Sequence, residues 1–256
     1  MDINFKEHFI KLWAKYFPGF ELPIVFYYTN EEVSEKFNQA SPLHRCVIFN
    51  LGQVREGNSL YFDSNTVGCF GGKRYLGFSQ ELMPDFEFFL SCGIEGKMEG
   101  ERFKKSPELV KEQLKYQEPF KAPGKYIVFK RWDTLRSKEE PLAVIFFASP
   151  DALSGLFALA NFDEIDPNAV IAPMCSGCAS IVYYPYKEAQ SDRPKAVLGM
   201  FDISARLAIA PDILTFAIPW AKFVSMVENI EESFLITKPW NGIKRRIGNK
   251  GATTKA

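Results

Sequence analysis

Two cysteines three positions apart have the spacing that most directly suggests chemistry in this chain. The segment MCSGCASIVYYP, residues 174–185, contains Cys175 and Cys178. Two thiolates at this spacing on a turn can bind one metal ion, and the small residues Ser176 and Gly177 leave the turn free of bulk. The pair alone supplies half of a four-ligand site.

The three other cysteines, Cys46, Cys69 and Cys92, could complete the site from a distance. Four thiolates suit either zinc or an iron–sulfur cluster. Structural zinc usually uses two compact pairs, whereas Cys46 and Cys69 stand singly and far apart, so a [4Fe–4S] cluster is favoured over zinc. Glycines around Cys69 and Cys178 would bring backbone N–H groups near the cluster sulfides and tune its potential.

Two further interpretations of the cysteines stay open. Free cysteine behaves as a small hydrophobic residue, so all five could serve packing alone. Thiol redox chemistry of the thioredoxin type needs the cysteine pair after a strand and at the start of a helix. The stretch AVIAPMCSGC allows that arrangement only loosely.

The chain contains two histidines, His8 and His44, so any Ser–His or Cys–His machinery must use one of them. His44 and Cys46 would share a face if they lay on a strand and could then form a dyad, whereas a helix would separate them by about 200°. His8 lies between charged and apolar positions of the first predicted helix and is expected at the surface. No HExxH, P-loop or strand-borne GxGxxG pattern occurs, so zincin, NTPase and Rossmann functions lose their usual support.

A glycine-rich stretch, TVGCFGGKRYLGF, surrounds Cys69. Gly71 and Gly72 would let the backbone approach a ligand closely, and Lys73 and Arg74 could receive a carboxylate or phosphate. Such a basic pair is also typical of a solvated face. A third interpretation makes Cys69 a thiolate nucleophile that Lys73 and Arg74 activate.

Asp202 and Arg206 lie in an apolar stretch, GMFDISARLAIAP, where an unpaired charge is costly. They are expected to pair with each other or to face a cavity, and a structural ion pair is the simpler of these expectations. If Arg206 faces a cavity, it would line the same anion-accepting pocket as Lys73 and Arg74.

Composition narrows the classes of partner and compartment. The 256 residues are 46% hydrophobic, enough for a substantial core, and 31 basic residues balance 31 acidic ones. No overall charge would attract nucleic acid or an anionic membrane. The first 17 residues are amphipathic and lack the apolar core of a signal peptide, and no segment predicts a membrane span. An odd number of cysteines without an export signal predicts reduced thiols in the cytoplasm.

Patterns of hydrophobic residues and breakers predict the elements that must position these side chains. Helices are expected at residues 4–17, 30–40, 106–117, 149–162 and 219–234. Strands are expected at residues 22–29, 58–64, 125–132, 141–148, 195–203 and 212–219, and as a run after Cys178. Residues 44–57 fit either type, and residues 93–105 suggest an exposed connection. Twenty-four phenylalanines indicate an aromatic core.

These elements predict a single globular α+β domain, residues 1–245, in which helices flank a mixed sheet. The last residues, 246–256, are low in apolar side chains and are expected to form a disordered tail.

Three segments together resemble a known family. CVIFNLGQVREGNSLYFDSNTVGCFGGKRYLGF is similar to the first half of the domain-of-unknown-function family numbered 169, in which one cysteine precedes a second that lies in a C-x-G-G segment. SGCASIVYYP and GMFDISAR are similar to the family's later cysteine-to-proline and glycine-to-arginine segments. The resemblance covers roughly residues 20–240.

The resemblance implies no activity, since the family is named for its unknown function. It places Cys46, Cys69, Cys178 and Arg206 at family positions, whereas Cys92 and Cys175 are additions in this chain. A fourth ligand would then come from Cys175 or Cys92, or the metal would keep an open position that favours a small-molecule ligand.

The sequence therefore predicts a cytoplasmic protein in which Cys46, Cys69, Cys175 and Cys178 hold a metal or, preferably, a [4Fe–4S] cluster. An adjacent pocket would accept a small anionic molecule through Gly71, Gly72, Lys73, Arg74 and Arg206. The alternatives are a metal-free protein that binds a small anion and an enzyme with a cysteine thiolate.

Overall fold

A computed structural model describes residues 2–33, 38–39 and 46–253 of the chain. Helices and strands alternate irregularly along these residues. The α-helices of these residues are α1 (Ile3–Tyr16), α2 (Val47–Arg55), α3 (Phe70–Tyr75), α4 (Phe86–Phe89), α5 (Pro107–Leu114), α6 (Pro150–Ala160), α7 (Tyr184–Glu188), α8 (Trp220–Asn229) and α9 (Lys238–Thr253). The strands are β1 (Ile24–Thr29), β2 (Asn38–Gln39), β3 (Leu60–Phe62), β4 (Gly93–Ile94), β5 (Met98–Glu99), β6 (Tyr126–Arg131), β7 (Ala143–Ala148), β8 (Val170–Ile171), β9 (Ala196–Gly199) and β10 (Leu214–Pro219).

Eight of the described strands form one mixed sheet in the order β2-β3-β6-β1-β7-β10-β9-β8. Its central pairs are antiparallel, with Phe26 of β1 opposite Phe129 of β6 and Ile145 of β7 opposite Ala217 of β10. The pairs at the two edges, β2 with β3 and β8 with β9, are parallel. The remaining strands, β4 and β5, form a separate hairpin.

Both faces of the sheet are buried, which explains why its central strands are almost continuously apolar. Along β7, the side chains of Ile145 and Phe147 face a core that includes α2, whereas those of Val144 and Phe146 face a core built with α1, α6, α8 and α9. Alternate residues of a strand point to opposite faces, so a strand between two cores needs apolar residues at every position.

Aromatic rings dominate the core on the second face, as the phenylalanine count predicts. The ring centroids of Phe9 and Trp132 are 4.8 Å apart, and those of Trp13 and Phe17 are 4.3 Å apart. The Nε1–H of Trp240 donates to the carbonyl of Tyr16 at 3.0 Å, which satisfies the one polar group of this buried ring. The aromatic residues therefore act mainly in packing.

The predicted α+β class, with a mixed sheet and flanking helices, is confirmed. Most of the predicted helices and strands are present, including α5 with its Ser106 N-cap, and the ambiguous residues 44–57 contain α2. The helix expected at residues 30–40 is absent from its described part, where Asn38–Gln39 is a strand, and the rest lies outside the described residues. Among the described residues, no helix combines the length and apolar character needed to cross a membrane.

One predicted strand is wrong. The run after Cys178 is a π-helix, Ala179–Tyr183, which continues into α7. Every residue of the π-helix is buried, so its apolar and β-branched side chains follow from burial on all sides. A short apolar run cannot distinguish a buried helix from a buried strand.

The last helix crosses the predicted boundary between domain and tail at residues 245 and 246. Ile247 of α9 is buried, and the guanidinium of Arg246 pairs with the carboxylate of Asp151 in α6. The packed domain therefore extends at least to Ile247. Disorder of the final residues stays a prediction.

Replacing Gly155 of α6 tests the contact between α6 and α9. A Cβ at Gly155 would overlap the indole of Trp240 and lie 3.0 Å from Cε1 of Phe17, whereas a Cβ at Gly242 of α9 would meet nothing within 4 Å. Gly155→Ala should lower the free energy of unfolding by about 1–3 kcal/mol, as overpacking of a rigid core does. Gly242→Ala should leave it unchanged or raise it by up to about 1 kcal/mol. Urea unfolding checks both, and equal effects would contradict the packing described.

Candidate functional site

A cavity of about 380 Å³ lies where three parts of the chain meet, residues 46–75, 81–117 and 174–204. Its lining includes all four cysteines that the sequence assigns to one site, Cys46, Cys69, Cys175 and Cys178. The fifth, Cys92, is exposed and lies outside the lining. The structure therefore brings together residues that are far apart in sequence.

Cys46 and Cys69 occupy equivalent positions, each at the N-cap of a helix. Cys46 precedes α2, and its carbonyl accepts a hydrogen bond from Nδ2 of Asn50 at 3.0 Å. Cys69 precedes α3, and its Sγ accepts the backbone N–H of Gly72 at 3.1 Å. At Cys69 the thiol sulfur thus takes the capping place that a side-chain oxygen usually fills, whereas the side chain of Cys46 makes no capping hydrogen bond.

Gly72 is required by the close approach of α3 to Cys69 and α2. A Cβ at this position would lie 2.8 Å from Cγ1 of Val67, 2.9 Å from Sγ of Cys69 and 3.1 Å from Cγ2 of Val47. At the neighbouring Gly71 a Cβ would have open space, although this glycine also lines the cavity. The two glycines therefore differ in role.

The turn that bears Cys175 and Cys178 is held by a buried carboxylate. Oδ2 of Asp202 accepts the backbone N–H of Gly177 at 2.9 Å, and Oδ1 accepts from the backbone and hydroxyl of Ser204 at 3.0 and 2.7 Å. Asp202 also lines the cavity. These hydrogen bonds satisfy a charge that would be costly to bury without partners.

The π-helix begins directly after Cys178. The hydroxyl of Ser180 donates to the carbonyl of Gly177 at 2.8 Å, and the hydroxyl of Tyr183 donates to the carbonyl of Glu118 at 2.6 Å. Wide helical turns of this kind are rare and frequently occur at functional sites. Here the π-helix joins the cysteine turn to the chain that follows α5.

Burial favours the neutral form of three cavity thiols, Cys69, Cys175 and Cys178. Burial raises the pKa of Cys69. The hydrogen bond from the backbone N–H of Gly72 acts in the opposite direction, because it favours the thiolate. Burial, and to a smaller extent the charge of Asp202, raise the pKa of Cys175 to about 12. Burial also raises the pKa of Cys178, with further contributions from Cys69 and Cys46.

The predicted anion-binding residues do not assemble in the same way. Gly71, Gly72 and Arg74 line the cavity, but Lys73 and Arg206 lie outside its lining. The guanidinium of Arg206 donates to the carbonyls of Ile213, Ala210 and Pro211, at 2.5, 3.3 and 2.7 Å. The expected ion pair between Asp202 and Arg206 is wrong for the described structure, because each satisfies its charge mainly through backbone groups.

Arg74 faces the cavity but is already engaged. Its two terminal nitrogens donate to the carbonyls of Gln80 and Gln117 at 2.7 and 3.3 Å. The hydroxyl of Tyr75 donates to Oε1 of Gln117 at 3.4 Å, and Nε2 of Gln117 donates to the hydroxyl of Tyr184 at 3.2 Å. This network ties the segment after α5 to the cysteine-bearing part of the site.

Residues 81–117 form a wall of the cavity that no sequence pattern indicates. They contribute apolar side chains, namely Leu82, Met83, Phe86, Phe89, Leu90, Phe103, Val110 and Leu114. They also contribute polar groups, namely Glu81, Glu101, Lys104, Gln113 and Gln117. The sequence feature that could have indicated this wall is the aromatic run MPDFEFFLSC. This run is too short and irregular to be typical of a core helix or strand.

The proposed His44–Cys46 dyad cannot be placed, because His44 lies outside the described residues. Among the residues that are described, no group of three or more His, Cys, Asp and Glu side chains is already arranged as metal ligands. Metal binding by the cysteines stays a prediction.

Comparison with known proteins finds one family. The model of the family DUF169, described as uncharacterised ArCR, matches residues 21–229. No curated protein and no solved structure matches the chain.

Alkylation across a range of pH tests the environment of Cys175. Its pKa is raised from 9.0 to about 12, so the thiolate fraction in the folded chain should keep rising from pH 9 to 11. The iodoacetamide rate at Cys175 should therefore rise about tenfold per pH unit over this range. In the urea-unfolded chain, the same residue should level off above pH 9. Peptide mass spectrometry measures both rates, and identical pH profiles in the two states would contradict the burial of this thiol.

A pair of glycine variants tests the packing around Cys69. Gly72→Ala should lower the free energy of unfolding by about 1–3 kcal/mol, because its methyl group would displace the sulfur and two valines. Gly71→Ala, one position earlier in α3, should have no effect or stabilise the helix by up to about 1 kcal/mol. Urea denaturation of the two variants supplies the comparison. If neither variant lowers the free energy of unfolding, α3 does not approach Cys69 as closely as described.

Proposed function

Because the chain belongs to the DUF169 family, which is described only as uncharacterised, we propose its function from the site alone: the cavity binds a metal centre through cysteine thiolates, with a [4Fe–4S] cluster favoured over zinc. The observation that carries the proposal is the presence of Cys46, Cys69, Cys175 and Cys178 around one cavity. They come from two distant parts of the chain, residues 46–69 and 175–178, as ligands collected by a completed fold do.

The size of the cavity favours a cluster over a single ion. Zinc draws its four sulfurs to about 2.3 Å in a tetrahedron, so a structural zinc site has tightly gathered thiols. The described cysteines are not gathered in that way, and the cavity of about 380 Å³ far exceeds the space that one ion needs. A cubane cluster holds its four cysteines farther apart than one ion does.

The backbone around Cys69 suits a sulfur ligand. The N–H of Gly72 already donates to Sγ of Cys69 at 3.1 Å. Hydrogen bonds to ligand sulfur stabilise the thiolate and raise the reduction potential of a cluster. A redox role follows naturally from such a site.

The neutral thiols set the pH dependence of binding. Each cysteine must lose its proton to become a ligand, and burial raises the pKa of Cys69, Cys175 and Cys178. Protons therefore compete with the metal, and binding should strengthen as pH rises. The bound cation in turn favours the thiolates, so a loaded site would keep its ligands ionised at neutral pH.

A metal-free binding protein is the second candidate. The volume of the cavity falls within the range of small-molecule sites, and most of its wall from residues 81–117 is apolar. The small anionic ligand expected from the sequence stays a prediction, although Arg74 has both terminal nitrogens bound to carbonyls.

The geometry does not favour the thiolate enzyme. Burial raises the pKa of Cys69, the proposed nucleophile, where activation would require a lowered pKa. Lys73, one of its two proposed activators, lies outside the lining of the cavity.

Metal analysis of protein purified without oxygen tests the proposal. We expect about four irons and four sulfides per chain with a broad visible absorption. Serine replacement of Cys46, Cys69 or Cys178 should remove most of the iron and colour, whereas Cys92→Ser, at the exposed cysteine, should retain them. Thermal unfolding of each variant separates loss of a ligand from loss of the fold.

If the wild-type protein contains no iron, zinc or sulfide, even after anaerobic reconstitution, the metal proposal would be wrong. The metal-free binding protein would then be the remaining candidate. Full metal content in all of the cysteine variants would overturn the ligand assignment. If the protein contains zinc instead of iron, and the serine variants lose this zinc, the thiolate site would be correct and its metal would be zinc instead of a cluster.

A further inference from the structure

The wall from residues 81–117 carries a carboxylate without a partner. Glu101 lines the cavity and is only partly exposed, and no cation of the described residues lies within ion-pair distance of it. Its side chain also has no hydrogen bond within the described structure. The two cations of the cavity lining, Arg74 and Lys104, therefore do not neutralise it.

A second carboxylate faces the same space. Asp202 is 8% exposed and accepts hydrogen bonds from Gly177 and Ser204, which orient it but carry no positive charge. Burial raises the pKa of Glu101, and the charge of Asp202 raises it further. Both carboxylates line the same cavity, and a cation between them would relieve their repulsion.

An amide on the same wall also lacks a donor. Oε1 of Gln113 is buried and has no hydrogen-bond partner among the described residues, and Gln113 lines the cavity. A buried acceptor without a donor costs free energy that a ligand could recover. Glu101, Asp202 and Gln113 thus offer hydrogen-bond acceptors to the cavity. The other lining residues of the wall from residues 81–117 are mainly apolar.

We propose that the cavity receives a small organic molecule with an apolar body and a protonated amine, and that the ammonium group faces Glu101 and Asp202. The apolar body would lie against the phenylalanines of residues 81–117. This inference rests on the proposed function in one respect, because the amine shares the cavity with the cysteines. A cluster held by four thiolates carries net negative charge, which strengthens the preference for a cation.

Three probes with the same phenylethyl body distinguish this ligand class from its alternatives. 2-Phenylethylamine, 2-phenylethanol and 3-phenylpropanoate share a body and differ in the charge of the head group. Isothermal titration at neutral pH, on protein of measured metal content, should show the amine binding at least about tenfold more tightly than either of the others.

Glu101→Gln should abolish the preference for the amine, because the amide keeps the shape of the side chain and removes its charge. Glu99→Gln is the matched control, since Glu99 is exposed, lies two residues earlier and is outside the lining. This control should bind the amine as the wild type does. Thermal midpoints without ligand show whether both variants fold.

Binding of the alcohol or carboxylate as tightly as the amine would overturn the inference, and so would an unchanged affinity in Glu101→Gln. Failure of all three probes to bind would also overturn it, because the amine would then not be accepted. Metal content, measured on the same samples, reports separately on the proposed function. A metal-loaded protein that rejects the amine contradicts this inference alone, and a metal-free protein that binds the amine contradicts only the metal proposal.

Discussion

The hydrogen bond from the Gly177 backbone to the buried carboxylate of Asp202 is the contact on which the site depends. It joins the turn that bears Cys175 and Cys178 to the segment after β9, at 2.9 Å. A Cβ at Gly177 would lie 3.1 Å from atoms of Ala205, Ile48 and Met200, so the turn is packed from three sides as well. Because the π-helix starts at the end of this turn, the same contact also fixes where the π-helix begins.

The sheet explains why such a site can be rigid. Its two faces are both buried, and α2 and the π-helix pack with the first face while the aromatic core fills the second. Side chains that project from elements packed on a sheet keep their positions better than side chains on free loops. The cysteines at the starts of α2 and α3 are held in this way, whereas the wall from residues 81–117 consists of short elements and a hairpin.

Sequence patterns predicted the parts of this molecule that repeat a simple period. The buried central strands and α5, with its serine cap and following proline, are examples. Local signals also drew attention to Cys69, Cys175 and Cys178, through chelating spacing and glycine-rich surroundings. That these cysteines and Cys46 line one cavity depends on the fold. The π-helix could not be predicted, because its all-round burial comes from neighbours distant in sequence.

The predicted anion site shows where local patterns are insufficient. Lys73 and Arg74 are consecutive residues of α3, and consecutive side chains of a helix point about 100° apart, so only Arg74 faces the cavity. Arg206 lies in a 3₁₀ turn, and its guanidinium donates to carbonyls of the residues that follow this turn. Neither outcome is encoded in the residue types. The acceptors of the opposite wall, Glu101 and Gln113, could not be predicted either. Glu101 lies in a connection, and the period of α5 does not show which polar side chains of that helix face the cavity.

Cross-linking of thiols tests most directly whether the cysteines share one cavity. The reduced, metal-free protein would be treated with dibromobimane, which bridges two neighbouring thiols, and digested for peptide mapping by mass spectrometry. The structure predicts bridges among Cys46, Cys69, Cys175 and Cys178, and none that contains Cys92. Bridges to Cys92, or single alkylation of every cysteine without bridges, would contradict the convergence of the four thiols.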